Sequence, residues 1–364
     1  IGASGTLNIN GGTFNQSTVS ASGANLVIGS FSGVTGAVNV SSGALNLDNG
    51  ANINFSDTNA VSPNGTLTIS GGAVTFYSNA GTTVGGTGVV DLMKGTGTGT
   101  NTINLNGGTL TANQIKNTSA TGTRVVNFNG GTLKSGSSSL AATFFASGVA
   151  TTANVRNGGA VIDTNGNSVT IGQALVHSTI GGDNATDGGL TKNGAGTLTL
   201  SSGANTYTGA TTINVGTLTL ASTGSIASSA SIAIKAGATL NTAAQSFALS
   251  SSQPITFTLD PTGSGSAGSI SAAALDITNG NVTFSTTGTL DDAVYTIASY
   301  SSLAGTNFAS VTNLPSGYAL NYNYLGGNVI ALVAVPESHE FAIAIVGLLC
   351  VMVVIRRRKI EEGN

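Results

Sequence analysis

From residue 4 onward, aliphatic side chains recur two apart with Thr, Asn or Val between them, as in Leu7/Ile9, Leu26/Ile28, Leu45/Leu47 and Leu67/Ile69. A period of two sends alternate side chains to opposite faces, so each run predicts a short strand with one face buried. The intervening β-branched residues favour the same conformation. Four early runs align: SGTLNIN (4–10), SGANLVIG (22–29), SGALNLDNG (42–50) and NGTLTISGG (64–72). Their glycines Gly5, Gly23, Gly43 and Gly65 are 18, 20 and 22 residues apart. A second set, INLNGGTLTA (103–112), VNFNGGTLKS (126–135) and VRNGGAVID (155–163), repeats a Gly-Gly pair at 107, 130 and 158. There the sequence predicts a turn with positive φ between two strands.

Self-similarity with a period near twenty is the mark of a solenoid. Simple antiparallel hairpins would repeat every ~8–12 residues. The expected fold is therefore all-β: a right-handed parallel β-helix with a β-rich C-terminal cap and one C-terminal transmembrane helix. Each coil can bury its inward Leu or Ile only against its neighbours, so the sequence repeats rather than varies. At about 22 residues per coil, the body would hold on the order of 15 coils and stand roughly 70 Å tall. Residues 1–250 are expected to form the solenoid, 251–334 the cap, and 335–364 a tail with its helix at 341–355.

Composition narrows the function. Asp, Glu, Lys and Arg make up 7% of the chain, against roughly 25% in an ordinary protein. Like charges stacked on successive rungs would repel, which accounts for their scarcity. Disorder is excluded because mean hydropathy is positive and aliphatics recur regularly. Up to residue 334 the acids are ten Asp and the bases seven Lys and Arg, so there is no basic stripe for nucleic acid. Cys350 is the single cysteine, which rules out an intrachain disulfide. The chain begins at Ile1, which suggests a processed form or fragment with any export signal upstream.

Residues 190–222, LTKNGAGTLTLSSGANTYTGATTINVGTLTLAS, resemble the autotransporter-associated β-strand repeat. The matching positions are Leu190, Lys192, Gly194, Gly196, Leu198 and Leu200, then Asn205, Tyr207 and Gly209, then Gly216 and Leu218. The resemblance implies a β-helical passenger region of a secreted or surface protein. Such passengers end in a membrane β-barrel, and long alternating barrel segments are not seen at this C-terminus.

The tail reads VPESHEFAIAIVGLLCVMVVIRRRKIEEGN from Val335. Phe341 to Ile355 is uncharged and apolar with no polar face, which predicts membrane insertion with the basic end cytoplasmic. Val335, Pro336 and Glu337, the apolar run, and Arg356, Arg357 and Arg358 resemble the PEP-CTERM sorting signal of Gram-negative bacteria, with Ser338 where the motif has its second proline. That resemblance implies an exosortase-type processing enzyme as a partner, the membrane as another, and exopolysaccharide or like chains beyond them. Ahead of the tail, Tyr295, Tyr300, Phe308, Tyr318, Tyr322 and Tyr324 suit a terminal cap, with an aromatic sugar-binding platform as the sharper alternative.

Candidate chemistry is sparse. No catalytic residue, cofactor site or metal site is expected. His177 is the body's one histidine, so a two-histidine metal site cannot form there, and it reads as a surface or corner residue. Cys350 reads as a small hydrophobe. GGDNATDGG (181–189) has Ala185 and Gly194 where a calcium loop needs oxygen ligands, so it reads as a flexible loop. GTGTGT (95–100) lacks the strand-to-helix context of a phosphate cradle. The competing reading is a polysaccharide-degrading β-helix enzyme, for which Asp163 would have to meet Asp183, Asp187 or Arg156 one coil away. A glycan-binding module is the third.

Overall fold

The computed structural model describes residues 4–16, 25–29, 33–47, 51–56, 64–77, 88–119, 121–136, 143–262 and 266–336. Apart from short 3-10 turns, every regular element there is a strand, and nearly all pairings are parallel. They form three tracks. The first runs from Gly5–Gln16 and Thr35–Leu47, by their first halves, through Asn64–Ile69, Thr100–Leu105, Thr123–Phe128 and Thr152–Val155 to Leu175–His177. The second uses the later halves of those two long strands. It continues through Ala73–Phe76, Thr109–Ala112, Thr132–Ser135, Ala160–Asp163, Leu190–Asn193, Thr211–Ile213, Ile232–Ile234, Ile255–Asp260, Asn281–Thr286 and Ser310–Thr312. The third climbs from Leu26–Ile28 to Val294–Ala304, bridged at Phe145 between Ile115 and Ile171.

The period-two pattern becomes ladders through the core. On the second track Leu45, Val74, Leu110, Leu133 and Ile162 stack inward, and Ile213, Ile234, Phe257 and Phe284 continue the column, all buried. Phe14 begins the column and is exposed, because no described rung lies below it. Outward positions form amide rows. Asn154 donates to Asn127 at 2.8 Å, Asn127 to Asn104 at 2.8 Å, and Asn104 to Thr68 at 3.3 Å. Asn39 donates to Asn8, and Asn46 to Asn15, each at 2.8 Å. Glycines fill the corner between the first two tracks, and a Cβ at Gly108, where φ is +60°, would sit 2.1 Å from the Gly72 carbonyl.

Two expectations need correction. The four early runs are not successive rungs. Gly5 pairs with Gly36 and Gly36 with Gly65, whereas Leu26–Ile28 belongs to the third track and Ala44–Leu47 to the second. Every strand in a coil has the same inward grammar, so a spacing near twenty counted strands on different tracks. Coil length also varies. Asn39 lies 31 residues after Asn8, Asn104 lies 36 after Thr68, and Asn214 lies 21 after Asn193. Among the described residues the second track accordingly has twelve rungs rather than fifteen, and at ~4.8 Å per rung it spans roughly 55 Å.

Coiling runs on past residue 250 to Ser310–Thr312. The third track is then closed by an antiparallel hairpin, in which Val329–Ala334 pairs with Val294–Ala304 on one side and with Tyr318–Asn321 on the other. Tyr318 packs edge-on to Tyr295 at 5.8 Å and Phe308 to Tyr322 at 5.3 Å, while the Tyr300 hydroxyl donates to the Tyr322 carbonyl. The aromatics thus pack against one another and bind the hairpin to the last coils. Among the described residues no helix is long and apolar enough to cross a membrane, and the expected helix at 341–355 lies outside them.

Candidate functional site

A cluster of ionisable side chains lies on the coils from Arg156 to Lys192, overlapping the segment singled out by its motif. The loop 178–189 enters the second track at Leu190, and it is pinned rather than free. Arg156 holds Asp183 through Nε and Nη2 at 2.8 and 3.0 Å, and the Ser178 hydroxyl donates to the same carboxylate at 2.5 Å. The Arg156 guanidinium and this hydroxyl hold the Asp183 carboxyl below its ordinary pKa. Asn184 N–H donates to the Asn157 side chain of the previous coil at 2.7 Å.

Asp187, 6% exposed, is the corner's anchor. Burial works to raise its pKa, but the backbone N–H groups of Thr208, Gly209 and Gly189 and the ring Nδ1–H of His177, all at 2.8–2.9 Å, outweigh that and hold it low. His177 is therefore a corner residue spent on a structural carboxylate. Neither aspartate is available as a calcium ligand, and no cluster of metal-ligating side chains occurs among the described residues.

Lys192 occupies a position meant for an aliphatic. It pairs with Ile162 below and Ile213 above in the inward column and is 0% exposed. Its stem fills the column, and its ammonium reaches the next corner. There Nζ donates to the carbonyls of Gly194 at 2.6 Å, Val215 at 2.8 Å and Asn193 at 3.2 Å, and to the Thr164 hydroxyl at 3.4 Å. One side chain thus ties three coils together. Burial pulls its pKa down to about 8, opposed by the charge of Asp163.

The other motif residues do similar work. Leu190, Leu198, Leu200 and Leu218 are buried in the ladders. Asn205 accepts from Leu175 N–H at 2.9 Å and donates to the Ser202 and Ser225 carbonyls, each at 3.0 Å, so it too spans three coils. Tyr207, 1% exposed, bonds the buried Thr211 hydroxyl at 2.7 Å. A Cβ at Gly196 would lie 1.8 Å from the Asn167 carbonyl, and one at Gly216 would lie 2.4 Å from that of Gly196.

Asp163 stands at the opposite end of its strand from this corner. It pairs with Lys134 at 3.3 Å and accepts from Asn165 N–H at 2.7 Å. Ala160 faces Leu190 and Asp163 faces Asn193, so Asp187, three residues before Leu190, is not brought to Asp163. Asp183 and Arg156 meet each other instead. Asp291 and Asp292 precede a strand rather than lie on one, and Asp292 accepts from the Tyr295 hydroxyl at 3.3 Å. Val335 and Pro336 are exposed at the end of the last strand, while Glu337, Arg356, Arg357 and Arg358 lie outside the described residues.

Sequence reasoning did not assign Lys192, Asn205 or Asp187 these roles. For Lys192 a signal was present, because period two puts it on the same face as Leu190. Asp187 and Asn205 lie on irregular segments where no periodicity reports direction.

Parallel coils with inward aliphatic columns and outward amide rows define a parallel β-solenoid. Within it, residues 190–220 match the family model described as the passenger-associated-transport-repeat, which marks this part as a passenger-type repeat. No curated protein and no solved structure matches the chain.

Proposed function

We propose that the chain is an exported, non-catalytic structural or adhesive rod of the cell surface or extracellular matrix, brought to the membrane by its tail. The winding is taken as right-handed, the hand that parallel crossovers favour. The observation that carries the reading is how the ionisable and amide side chains of residues 156–229 are spent. Arg156, His177, Asp183, Asp187, Lys192 and Asn205 all bond groups of their own or adjoining coils, which is work for a scaffold. The passenger-type repeat supports export.

The tail is read as a PEP-CTERM-like signal. Val335, Pro336 and Glu337 would be presented to an exosortase-type enzyme, residues 341–355 would span the membrane, and Arg356, Arg357 and Arg358 would stay cytoplasmic. Outward Asn, Thr and Ser rows are suited to hydrogen-bonding exopolysaccharide or a neighbouring rod. Deleting residues 335–364 should move the protein from the membrane fraction to the soluble fraction. Unchanged fractionation would overturn the anchoring.

A further inference from the structure

The end of the solenoid is covered unevenly. The hairpin Tyr318–Asn321/Val329–Ala334 covers the third track, but the second track stops at the three-residue strand Ser310–Thr312. Thr283 pairs with Thr312, so the next inward position above Phe284 falls to Asn313. That residue has φ +56°, outside the strand conformation, and the track has no further strand. The aromatic column, in which Phe257 and Phe284 stack at 6.1 Å, ends at the buried Phe284, beside a recess at the end of the second track.

The recess measures about 530 Å³, within the ~300–1,000 Å³ range of small-ligand sites. Its apolar and aromatic lining is Leu290, Pro315 and Tyr318, with the buried Phe284 behind them. Its polar lining is Ser285, Thr286, Thr289, Asn313 and Ser316, with no charged side chain. Tyr318 is fixed in place, since its hydroxyl donates to the Asp292 carbonyl at 2.7 Å and its ring packs on Tyr295.

The asparagine at the recess differs from those along the coils. Asparagines of the outward rows bond the rungs beside them, as Asn127 does on both sides. At the recess, the Asn313 amide and the hydroxyls of Ser285, Thr286, Thr289 and Ser316 have no partner among the described residues. Uncommitted hydroxyl and amide groups set around fixed aromatic and apolar surface match the chemistry of a sugar ring, which has hydroxyls at its edge and C–H groups on its faces. Asp291 and Asp292 follow Leu290 directly and disfavour an acidic ligand.

We propose that this terminal recess is a binding site for a short neutral oligosaccharide. Binding there adds specific recognition to the rod and does not depend on the tail's anchoring role, so each can fail alone. The test is calorimetric titration of the purified full chain with cellotriose, maltotriose and chitotriose, and with trigalacturonate as the acidic counterpart. Saturable binding of at least one neutral trisaccharide, with trigalacturonate weaker, is expected. Asn313→Gly keeps the backbone turn and should weaken binding about tenfold, the worth of one lost hydrogen bond. Thr289→Trp, at an exposed position, should fill the recess and abolish binding while the unfolding transition stays in place.

Three results would overturn the proposal. One is no saturable binding of any neutral trisaccharide. Another is binding unchanged in both variants. The third is binding that emerges only after residues 337–364 are removed, which would assign the recess to the chain's own tail.

Discussion

The N-terminal coils and the coils of the passenger-type repeat solve the same problem in different ways. The early coils are wide, up to 37 residues, and spread their backbone over strands on all three tracks. Their amides face outward and bond along the axis. The repeat coils are tight, 21 residues, and after Leu175–His177 the first track continues without regular strands. They keep the outward pair Asn214–Asn193, and where the wide coils have the inward Asn101 they have three inward polar staples, Lys192, Asn205 and Tyr207. Shortening a coil removes strand pairing, and the corner carbonyls left over need donors from the interior. The difference teaches that the motif residues of the repeat are the means of tightening a coil.

Substitutions can break this contrast. The largest effect is expected for Lys192→Ala, which deletes a core stem and all four hydrogen bonds and should cost about 4 kcal/mol in denaturant unfolding. Lys134→Ala removes a partly exposed ion pair and should cost under about 1 kcal/mol. Gly196→Ala should cost about 3 kcal/mol, because the new methyl meets the backbone of the coil beneath. Gly5→Ala, with open space around it, should change stability by no more than about 0.5 kcal/mol. Equal losses at these two glycines would show that the tight coils are not closely stacked.

Titration sharpens the same contrast. The folded pKa of Lys192 is about 8, below its ordinary 10.5, so between those values the unfolded chain binds more protons. Stability should therefore rise as pH climbs from about 8 to about 10.5. Lys192→Met keeps the stem without the charge, so that rise should vanish in urea melts taken across the range. Tyr207→Phe should cost about 1 kcal/mol in the same melts, for the lost bond to Thr211.

Much of this was legible in the sequence. The alternation at Leu67/Ile69 gave an inward pair, and the Gly-Gly corners at 107, 130 and 158 fall on adjoining coils. The aromatic residues from Tyr295 to Tyr322 indeed pack at the end of the rod. Track assignment was not legible, because Leu7, Leu26 and Leu45 obey one local rule while standing in three different columns. Coil number failed for the same reason, since loops vary in length without disturbing the strands. The grouping of Asp163 with Asp187 failed because closeness in rung number says nothing about which end of a strand a side chain occupies.

The amide rows have a direction. In each Asn–Asn contact the later residue gives its proton and the earlier one receives it, from Asn154 to Asn127, Asn214 to Asn193 and Asn39 to Asn8. Such a row has a head and a tail, like a train whose couplings join only one way. A duplicated coil spliced in with its natural sense would find hook and eye already matched. The same coil turned end for end would set oxygen against oxygen at one junction and N–H against N–H at the other.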